Sequence, residues 1–176
     1  MLNVKLWGLK MVYTKGMKIL GIDPGIGRAG WGIVEVIGGK MEVKEYGCIE
    51  TTKNQGIGER IKIVYDEAVK IMGESEPDAL AIEELFFNTN VTTAFAVGQA
   101  RGVILLAAEQ QGIAVTSYTP QQIKIGVTGY GRSDKKQVAL MVKTILKLKT
   151  LPKLDDTTDA LAIAITHAFS YKLKKI

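Results

Sequence analysis

The sequence predicts an α/β fold with one mixed sheet of five strands, in which three antiparallel strands come first and parallel strands follow, with helices flanking the sheet. Two observations lead to this prediction. Near the N-terminus three short apolar runs follow one another, and Gly38-Gly39 between the second and the third is typical of a hairpin turn. After them, strand-like and helix-like segments alternate, which implies parallel pairing of the strands. The three apolar runs are 18–23, 30–37 and 41–50.

The alternating part of the chain begins with an amphipathic helix. Residues 58–72 carry apolar side chains at helical spacing, and Pro77-Asp78 marks the exit from this helix. The segments that follow are predicted to be a strand, a long helix rich in Ala and Gly, and a last strand, with two further helices beyond them. Their ranges are 79–85, 89–111 and 113–117.

A chain of 176 residues, of which 47% are hydrophobic and 23% charged, has the composition of one compact globular domain. We expect this domain to span 17–170, with 1–16 as an N-terminal extension that can be disordered and 171–176 as a basic tail. The single cysteine, Cys48, can form neither an internal disulfide nor a thiolate metal cage. Its apolar, strand-like surroundings predict a buried small side chain.

Hydropathy and charge narrow the class of protein. No apolar run reaches the length of a membrane span, and residues 1–16 lack a signal-peptide pattern, so we expect a cytoplasmic protein with no membrane partner. The 23 Lys and Arg exceed the 18 Asp and Glu and give a net charge of +5, which favours a polyanionic partner.

Residues 25–30, Gly-Ile-Gly-Arg-Ala-Gly, match the G-x-G-x-x-G pattern of dinucleotide-binding sites. That pattern has to open a helix, whereas the residues that follow, 31–36, are β-prone and apolar. We therefore interpret the segment as a glycine-rich turn after a strand, with Asp23 at its tip. Asp23 is then either a site residue or only the first residue of the turn, since Asp before Pro-Gly is common in turns.

Two acids end the strand predicted over 79–85. Because side chains alternate along a strand, Glu83 and Glu84 point to opposite faces, and one of them can face a site while the other faces solvent. The alternative is that both lie in water at the end of the strand.

A third group of acids, Asp155, Asp156 and Asp159, precedes an apolar helical segment. Asp159 shares a helix face with Asp156 at spacing i, i+3 and with Asp155 at i, i+4, so spacing does not choose between them. These acids either stabilise the helix dipole or face inward, where a carboxylate needs a cation or a proton. His167 follows on nearly the same stripe but about 16 Å further along the axis, which argues against a ligand role.

The chemistry of these acids indicates a metal site. Hard oxygen donors without Cys or His neighbours suit Mg²⁺ or Mn²⁺ rather than zinc. Two such ions about 3.5–4 Å apart can activate water and stabilise the leaving oxygen in phosphodiester cleavage. On a basic chain, the acids therefore indicate metal-dependent cleavage of nucleic acid.

The chain carries four separated motifs, which are Gly21-Ile22-Asp23-Pro24-Gly25, Ala81-Ile82-Glu83, Gly98-Gln99-Ala100-Arg101-Gly102 and 156–164. Together they resemble RuvC-type Holliday-junction resolvases, and the resemblance runs from Met17 to about Ser170. It implies a ribonuclease-H-like fold, a homodimer, and paired Mg²⁺-dependent nicking of opposite strands at a four-way DNA junction, in recombination and repair. Two Mg²⁺ ions are implied, for which Mn²⁺ can substitute. By motif position, the catalytic and metal-binding residues are Asp23, Glu83, Asp156 and Asp159.

The same resemblance implies further site residues. Lys124 and Lys135 are similar in position to catalytic lysines, whose charge would stabilise the scissile phosphate. Phe86 matches an aromatic that meets bases at the junction centre. As alternatives, the phenylalanines pack in the core, and Lys135 belongs to the solvated first turn of a helix. The residues expected to contact DNA are Phe86, Phe87, Arg132 and Lys136.

Two other functions stay open on the sequence. Actin-like ATPases and sugar kinases also place an Asp in a glycine-rich turn, but they need two lobes and this chain is too short for both. A catalytically silent relative would keep the fold and bind junctions without nicking them. The resemblance also implies a complex with a junction-migrating helicase.

Overall fold

The computed structural model describes residues 16–85 and 91–173, with side chains described over 16–85 and 94–170. Residues 1–15 of the expected extension, the pair Phe86 and Phe87, and the end of the basic tail lie outside the described residues. The strands are β1 (Met17–Asp23), β2 (Arg28–Ile37), β3 (Lys40–Glu50), β4 (Ala79–Glu83) and β5 (Ala114–Tyr118). The helices are α1 (Ile57–Ser75), α2 (Val91–Gln110), α3 (Pro120–Thr128), α4 (Lys135–Ile145) and α5 (Asp155–Leu173).

The strands form one mixed five-stranded sheet in the order β3-β2-β1-β4-β5. β1 pairs antiparallel with β2 and β2 with β3, whereas β1 pairs parallel with β4 and β4 with β5. The predicted architecture is therefore confirmed. Three helices follow β5 in the described residues, not the two predicted, because Gly129 ends α3 in a left-handed conformation (φ 76°) before α4 begins.

Glycines form the sharp turns at both ends of β2. The segment with the G-x-G-x-x-G pattern joins β1 to β2 as antiparallel neighbours and opens no helix, as predicted. A Cβ on Gly25 would lie 2.0 Å from the carbonyl oxygen of Arg28, so only glycine fits this close turn. At the other end, Gly38 and Gly39 have positive φ angles of 54° and 83°, which confirms the predicted hairpin turn.

Helices cover both faces of the sheet. Leu20 and Ile22 point from β1 into a core shared with α1 and α2, whereas Ile19 points to the opposite side, into a core shared with α3, α4 and α5. This alternation is the two-residue period of a strand that is buried on both faces. None of the helices in the described ranges is long and apolar enough to span a lipid bilayer.

Two glycines of the sheet allow α5 to lie directly on β1 and β2. A Cβ on Gly21 would come within 2.2 Å of the carbonyl oxygen of Ala160, and one on Gly30 within 1.9 Å of the carbonyl oxygen of Asp156. The Thr157 hydroxyl also donates a hydrogen bond of 3.1 Å to the carbonyl oxygen of Gly47 on β3. The first turn of α5 is thereby held at the end of β1.

Cys48 is half-buried rather than fully buried, which corrects the expectation from the sequence. It lies on the edge strand β3, in a shallow surface pocket beside Trp31 and Lys70. Partial burial raises the pKa of its thiol to about 11, so the thiol stays protonated at neutral pH.

Candidate active site

Asp23 and Glu83 end two neighbouring parallel strands. The β1–β4 ladder closes at the pair Ile22–Ile82, so Asp23 and Glu83 are the next residues on their strands. Strand alternation sends both side chains to the face that α5 covers. Glu84 is exposed. The structure therefore brings Asp23 and Glu83 together and separates Glu84 from them.

The first turn of α5 brings two more carboxylates to the same place. The side chains of Asp156 and Asp159 are 24% and 27% exposed, whereas that of Asp155 is 82% exposed. The charges of Asp156 and Asp159 both raise the pKa of Asp23, and Asp155 is not among the groups that do so. The structure thus distinguishes Asp156 from Asp155, which helical spacing left open. Asp23, Glu83, Asp156 and Asp159 are called the carboxylate cluster below.

The carboxylate cluster resists full ionisation. Burial is the largest cause that raises the pKa of Asp23 from its ordinary 3.8 to about 8, and the charges of the other three acids add to it. Burial also raises the pKa of Glu83 and of Asp159. A hydrogen bond between Asp23 and Glu83 partly opposes the rise at Glu83. In the metal-free chain Asp23 therefore holds a proton at neutral pH, at a place where a cation can replace it.

Two basic side chains already neutralise part of the cluster. Arg28 Nε lies 3.2 Å from Asp156 Oδ2, and Lys135 Nζ lies 3.1 Å from Asp159 Oδ2. Asp156 Oδ2 is buried and makes no hydrogen bond, so its contact with Arg28 is an ion pair without hydrogen-bond geometry.

A hard cation fits this donor set. The buried Oδ2 of Asp156 accepts no hydrogen bond and can take a metal ligand role, and all four acids offer oxygen ligands. Among the side chains described over 16–85 and 94–170, no three of Asp, Glu, His or Cys converge closely enough to share one ion. The four acids thus lie around one place without yet forming the close ligand set of a bound ion.

Both lysines predicted for catalysis line one pocket with the acids. Lys124 of α3 and Lys135 of α4 face a pocket of about 180 Å³ together with Glu83 and Asp159. Lysines on two different helices thus lie on one side of the cluster, where they can meet an anionic substrate. The two described residues expected to contact DNA are exposed, namely Arg132 and Lys136.

Sequence reasoning missed Arg28 and assigned no role to Arg101. Arg28 begins β2 directly after the glycine-rich turn, and this position is the one signal that could have indicated it. Arg101 donates from Nε to the carbonyl oxygen of Glu83 at 3.1 Å, a contact between α2 and the end of β4.

His167, which was not expected to be a ligand, is buried with its Nδ1 3.0 Å from the Tyr118 hydroxyl.

The raised pKa of Asp23 predicts how metal-free stability depends on pH. As pH rises from about 4 to about 8, the unfolded chain ionises this carboxyl group while the folded chain keeps it protonated, so the free energy of unfolding falls. Asp23→Asn has no carboxyl group at this position, so its free energy of unfolding should not fall with pH for this reason. We expect the variant to melt at least about 2 °C above the wild type at pH 8 in EDTA, with the difference vanishing near pH 4.

Differential scanning fluorimetry across this pH range measures the effect. Asp66→Asn, at an exposed acid of α1, is the control and should follow the wild type. A variant that is less stable than the wild type at pH 8, or a difference that grows towards low pH, would contradict the buried, protonated Asp23.

Comparison with known proteins shows the family to which the chain belongs. The family model described as crossover junction endodeoxyribonuclease RuvC matches residues 19–167. The RuvC crossover junction endodeoxyribonuclease of Brevibacillus brevis is 51% identical over 152 residues, which cover 86% of this chain and 92% of that protein. That of Alkaliphilus oremlandii is 52% identical over 152 residues, covering 86% of this chain and 93% of that protein.

Solved structures give the same result. Thermus thermophilus RuvC in complex with a Holliday junction substrate superposes with a TM-score of 0.86 at 38% identity, covering 90% of this chain and 96% of that chain. The yeast mitochondrial Holliday junction resolvase Ydc2 superposes with a TM-score of 0.63 at 14% identity, which shows the shared fold alone. Because the family model spans most of the chain and the bacterial relatives share about half of its residues over nearly their whole length, the chain belongs to the RuvC family of crossover junction endodeoxyribonucleases.

Proposed function

We propose that this protein resolves four-way (Holliday) DNA junctions as a structure-selective endonuclease, by paired Mg²⁺-dependent nicking of opposite strands. The carboxylate cluster is the observation that supports this most, because its partly buried acids, of which Asp23, Glu83 and Asp159 have a raised pKa, lie beside two lysines on a basic chain. Membership of the RuvC family supports the junction as the substrate. An actin-like nucleotide-binding function is not favoured, since relatives of about 50% identity are named as nucleases.

The carboxylate cluster would hold the metal, with two Mg²⁺ ions as the proposed number and Mn²⁺ as a substitute. Such ions, when bound, supply an activated water and stabilise the leaving oxygen. The metal would be held by Asp23 and Glu83 together with Asp156 and Asp159, which lie beside Arg28 and Lys135 in this structure. Lys124 and Lys135, which line one pocket with Glu83 and Asp159, would stabilise the negative charge of the scissile phosphate.

Contacts with the rest of the junction would come from residues around this site. Arg132 and Lys136 are exposed near the start of α4 and would bind backbone phosphates, so affinity would fall steeply with salt. Phe86 and Phe87 follow Glu83 closely in sequence, and we propose that they reach bases at the junction centre. A complex with a junction-migrating helicase is part of the same proposal and rests on family membership.

A cleavage assay tests the proposed function. A synthetic four-way junction and a linear duplex of the same sequence are each incubated with the protein in Mg²⁺ or in EDTA, and the labelled strands are resolved. We expect paired nicks in opposite strands of the junction, in Mg²⁺ only. A protein that binds the junction but never nicks it would contradict the proposal and support the catalytically silent alternative.

We also propose a homodimer that forms through α2. This helix buries Ala100, Ile104 and Ala107 against its own sheet, and two large apolar side chains lie on its opposite, exposed side. Phe95 is 70% exposed and Leu106 50% exposed, and the two side chains lie on one helix face, where they form an apolar stripe. A second copy of the chain, packed symmetrically, would bury this stripe.

Leu106→Glu is expected to weaken the dimer at least about tenfold, because a carboxylate would be buried in an apolar interface. Size-exclusion chromatography with light scattering over a concentration series measures the change. Leu140→Glu is the matched control, since Leu140 is 61% exposed on α4, away from this stripe. A monomeric wild type, or dissociation caused by Leu140→Glu alone, would contradict the α2 interface.

A further inference from the structure

Arg101 joins the ends of two strands next to the carboxylate cluster. Its Nε donates to the carbonyl oxygen of Glu83 at 3.1 Å, and its Nη2 donates to the Ser117 hydroxyl at 2.6 Å. Glu83 is the last residue of β4, and Ser117 lies next to the last residue of β5. The side chain reaches them from α2 and is half-buried. One guanidinium therefore ties a helix to two strand ends.

The main chain at Glu83 lies where the pairing of β4 with its neighbours ends. Its strand has no pairing with β1 beyond Ile82, and its pairing with β5 ends at Glu83 itself, opposite Tyr118. One further hydrogen bond, from the amide of Glu84 to the carbonyl oxygen of Tyr118 at 2.9 Å, follows before the chain leaves the sheet. The residue that bears this carboxylate, Glu83, is thus the last paired residue of a short strand.

The contact acts on the main chain and not on the carboxylate. Burial and the charge of Asp159 raise the pKa of Glu83, while Asp23 and Lys135 lower it, and Arg101 has no part in this balance. A planar guanidinium holds two acceptors in fixed relative positions, whereas a lysine ammonium has no such fork.

We propose that Arg101 is a positioning residue that sets where the Glu83 carboxylate stands for metal binding. The proposal rests on the proposed function of the carboxylate cluster. It assigns a role to the Gly-Gln-Ala-Arg-Gly segment that the acids and lysines of the site leave unexplained. Residues that orient a metal ligand in this way typically change metal affinity or activity by about 10–100-fold when they are replaced.

Two measurements test the proposal on Arg101→Gln and Arg101→Lys. Calorimetric titration with Mn²⁺ in the absence of DNA gives the metal affinity, and single-turnover cleavage at saturating junction gives the rate, with the junction Kd measured separately in Ca²⁺. For Arg101→Gln we expect a loss of about tenfold or more in Mn²⁺ affinity and in rate, with the junction Kd changed less than about twofold. Arg101→Lys keeps one donor group in place of the guanidinium fork. Its Mn²⁺ affinity and cleavage rate should fall less, by about three- to tenfold.

Two controls separate positioning from other roles. Ser117→Ala keeps the hydrogen bond from Arg101 to the carbonyl oxygen of Glu83, so its Mn²⁺ affinity and cleavage rate should fall less than those of Arg101→Gln. Lys70→Gln, on an exposed face of α1, removes one positive charge and should match the wild type in both measurements. If Arg101→Gln does not fold, Arg101→Lys carries the test.

Unchanged Mn²⁺ affinity in Arg101→Lys and in any folded Arg101→Gln would overturn the proposal. A raised junction Kd with an unchanged saturated rate would also overturn it and would make Arg101 a DNA contact. A wild type that cuts no junction would defeat the proposed function, while the Mn²⁺ comparison would still decide the role of Arg101.

Discussion

Asp23→Asn is expected to abolish junction cleavage, lowering the single-turnover rate in Mg²⁺ by at least about 10³-fold. The charges of Glu83, Asp159 and Asp156 all act on Asp23 and raise its pKa. Asparagine keeps the size of the side chain but removes the negative charge that a divalent cation needs. The loss should therefore fall on metal binding and on the rate.

Junction binding separates this effect from a defect in folding or recognition. We expect the Kd of Asp23→Asn for the junction to stay within about twofold of the wild type, because phosphate contacts supply the affinity. Asp66→Asn, which removes an exposed acid on α1, should cut at the wild-type rate. Wild-type cleavage by Asp23→Asn would refute the proposed mechanism.

Gly30→Ala is expected to have the largest effect on stability. The new methyl group would stand 1.9 Å from the carbonyl oxygen of Asp156, and this neighbour is main chain that no rotamer change can move away. The first turn of α5 would have to lift from the sheet. We expect a loss of about 2–4 kcal/mol in the free energy of unfolding, seen as a lower denaturant midpoint, and a further loss of cleavage in the folded fraction because Asp156 is displaced.

Gly73→Ala is the matched control for this substitution. Gly73 lies within α1, where an added Cβ meets nothing within 4 Å, so alanine should stabilise the protein by about 0.5–1 kcal/mol. Equal and small effects of both substitutions would show that α5 does not rest on Gly30 as described.

The fold was predictable because its signals are local. A glycine pair predicts the β2–β3 hairpin, and the alternation of side chains along a strand predicts which of them share a face of the sheet. The helical spacing of apolar residues predicts α1. The short helix α3 was not counted separately, because nine residues hold too few turns for a clear period and its capping box at Thr119 and Gln122 is a subtle signal.

The acids of the site were predictable individually only as alternatives. Alternation shows that Glu83 and Glu84 face apart, but not which of them faces the site, and helical spacing treats Asp155 and Asp156 alike. The choice depends on how α5 lies across the sheet. That placement follows from Gly21 and Gly30, whose missing side chains matter only once the helix is known to lie over them.

The contacts that Arg28 and Arg101 make at the site, unlike the place of Lys135, were out of reach of sequence reasoning. Arg28 meets Asp156, and Arg101 meets Glu83, through contacts that depend on strand order and on the packing of α2 and α5. No period or spacing in the sequence encodes such pairs. They became visible only when the sheet brought distant segments together.

The membership of the carboxylate cluster is tested most directly by Mg²⁺-dependent junction cleavage in two pairs of neighbouring acids. Glu83→Gln is compared with Glu84→Gln, and Asp156→Asn with Asp155→Asn, so that each pair removes the same charge one residue apart. We predict a loss of at least about 10³-fold in Glu83→Gln and Asp156→Asn, and a change within about fivefold in the other two. An equal loss within either pair, or a greater loss in Glu84→Gln or Asp155→Asn, would contradict the cluster as the structure places it.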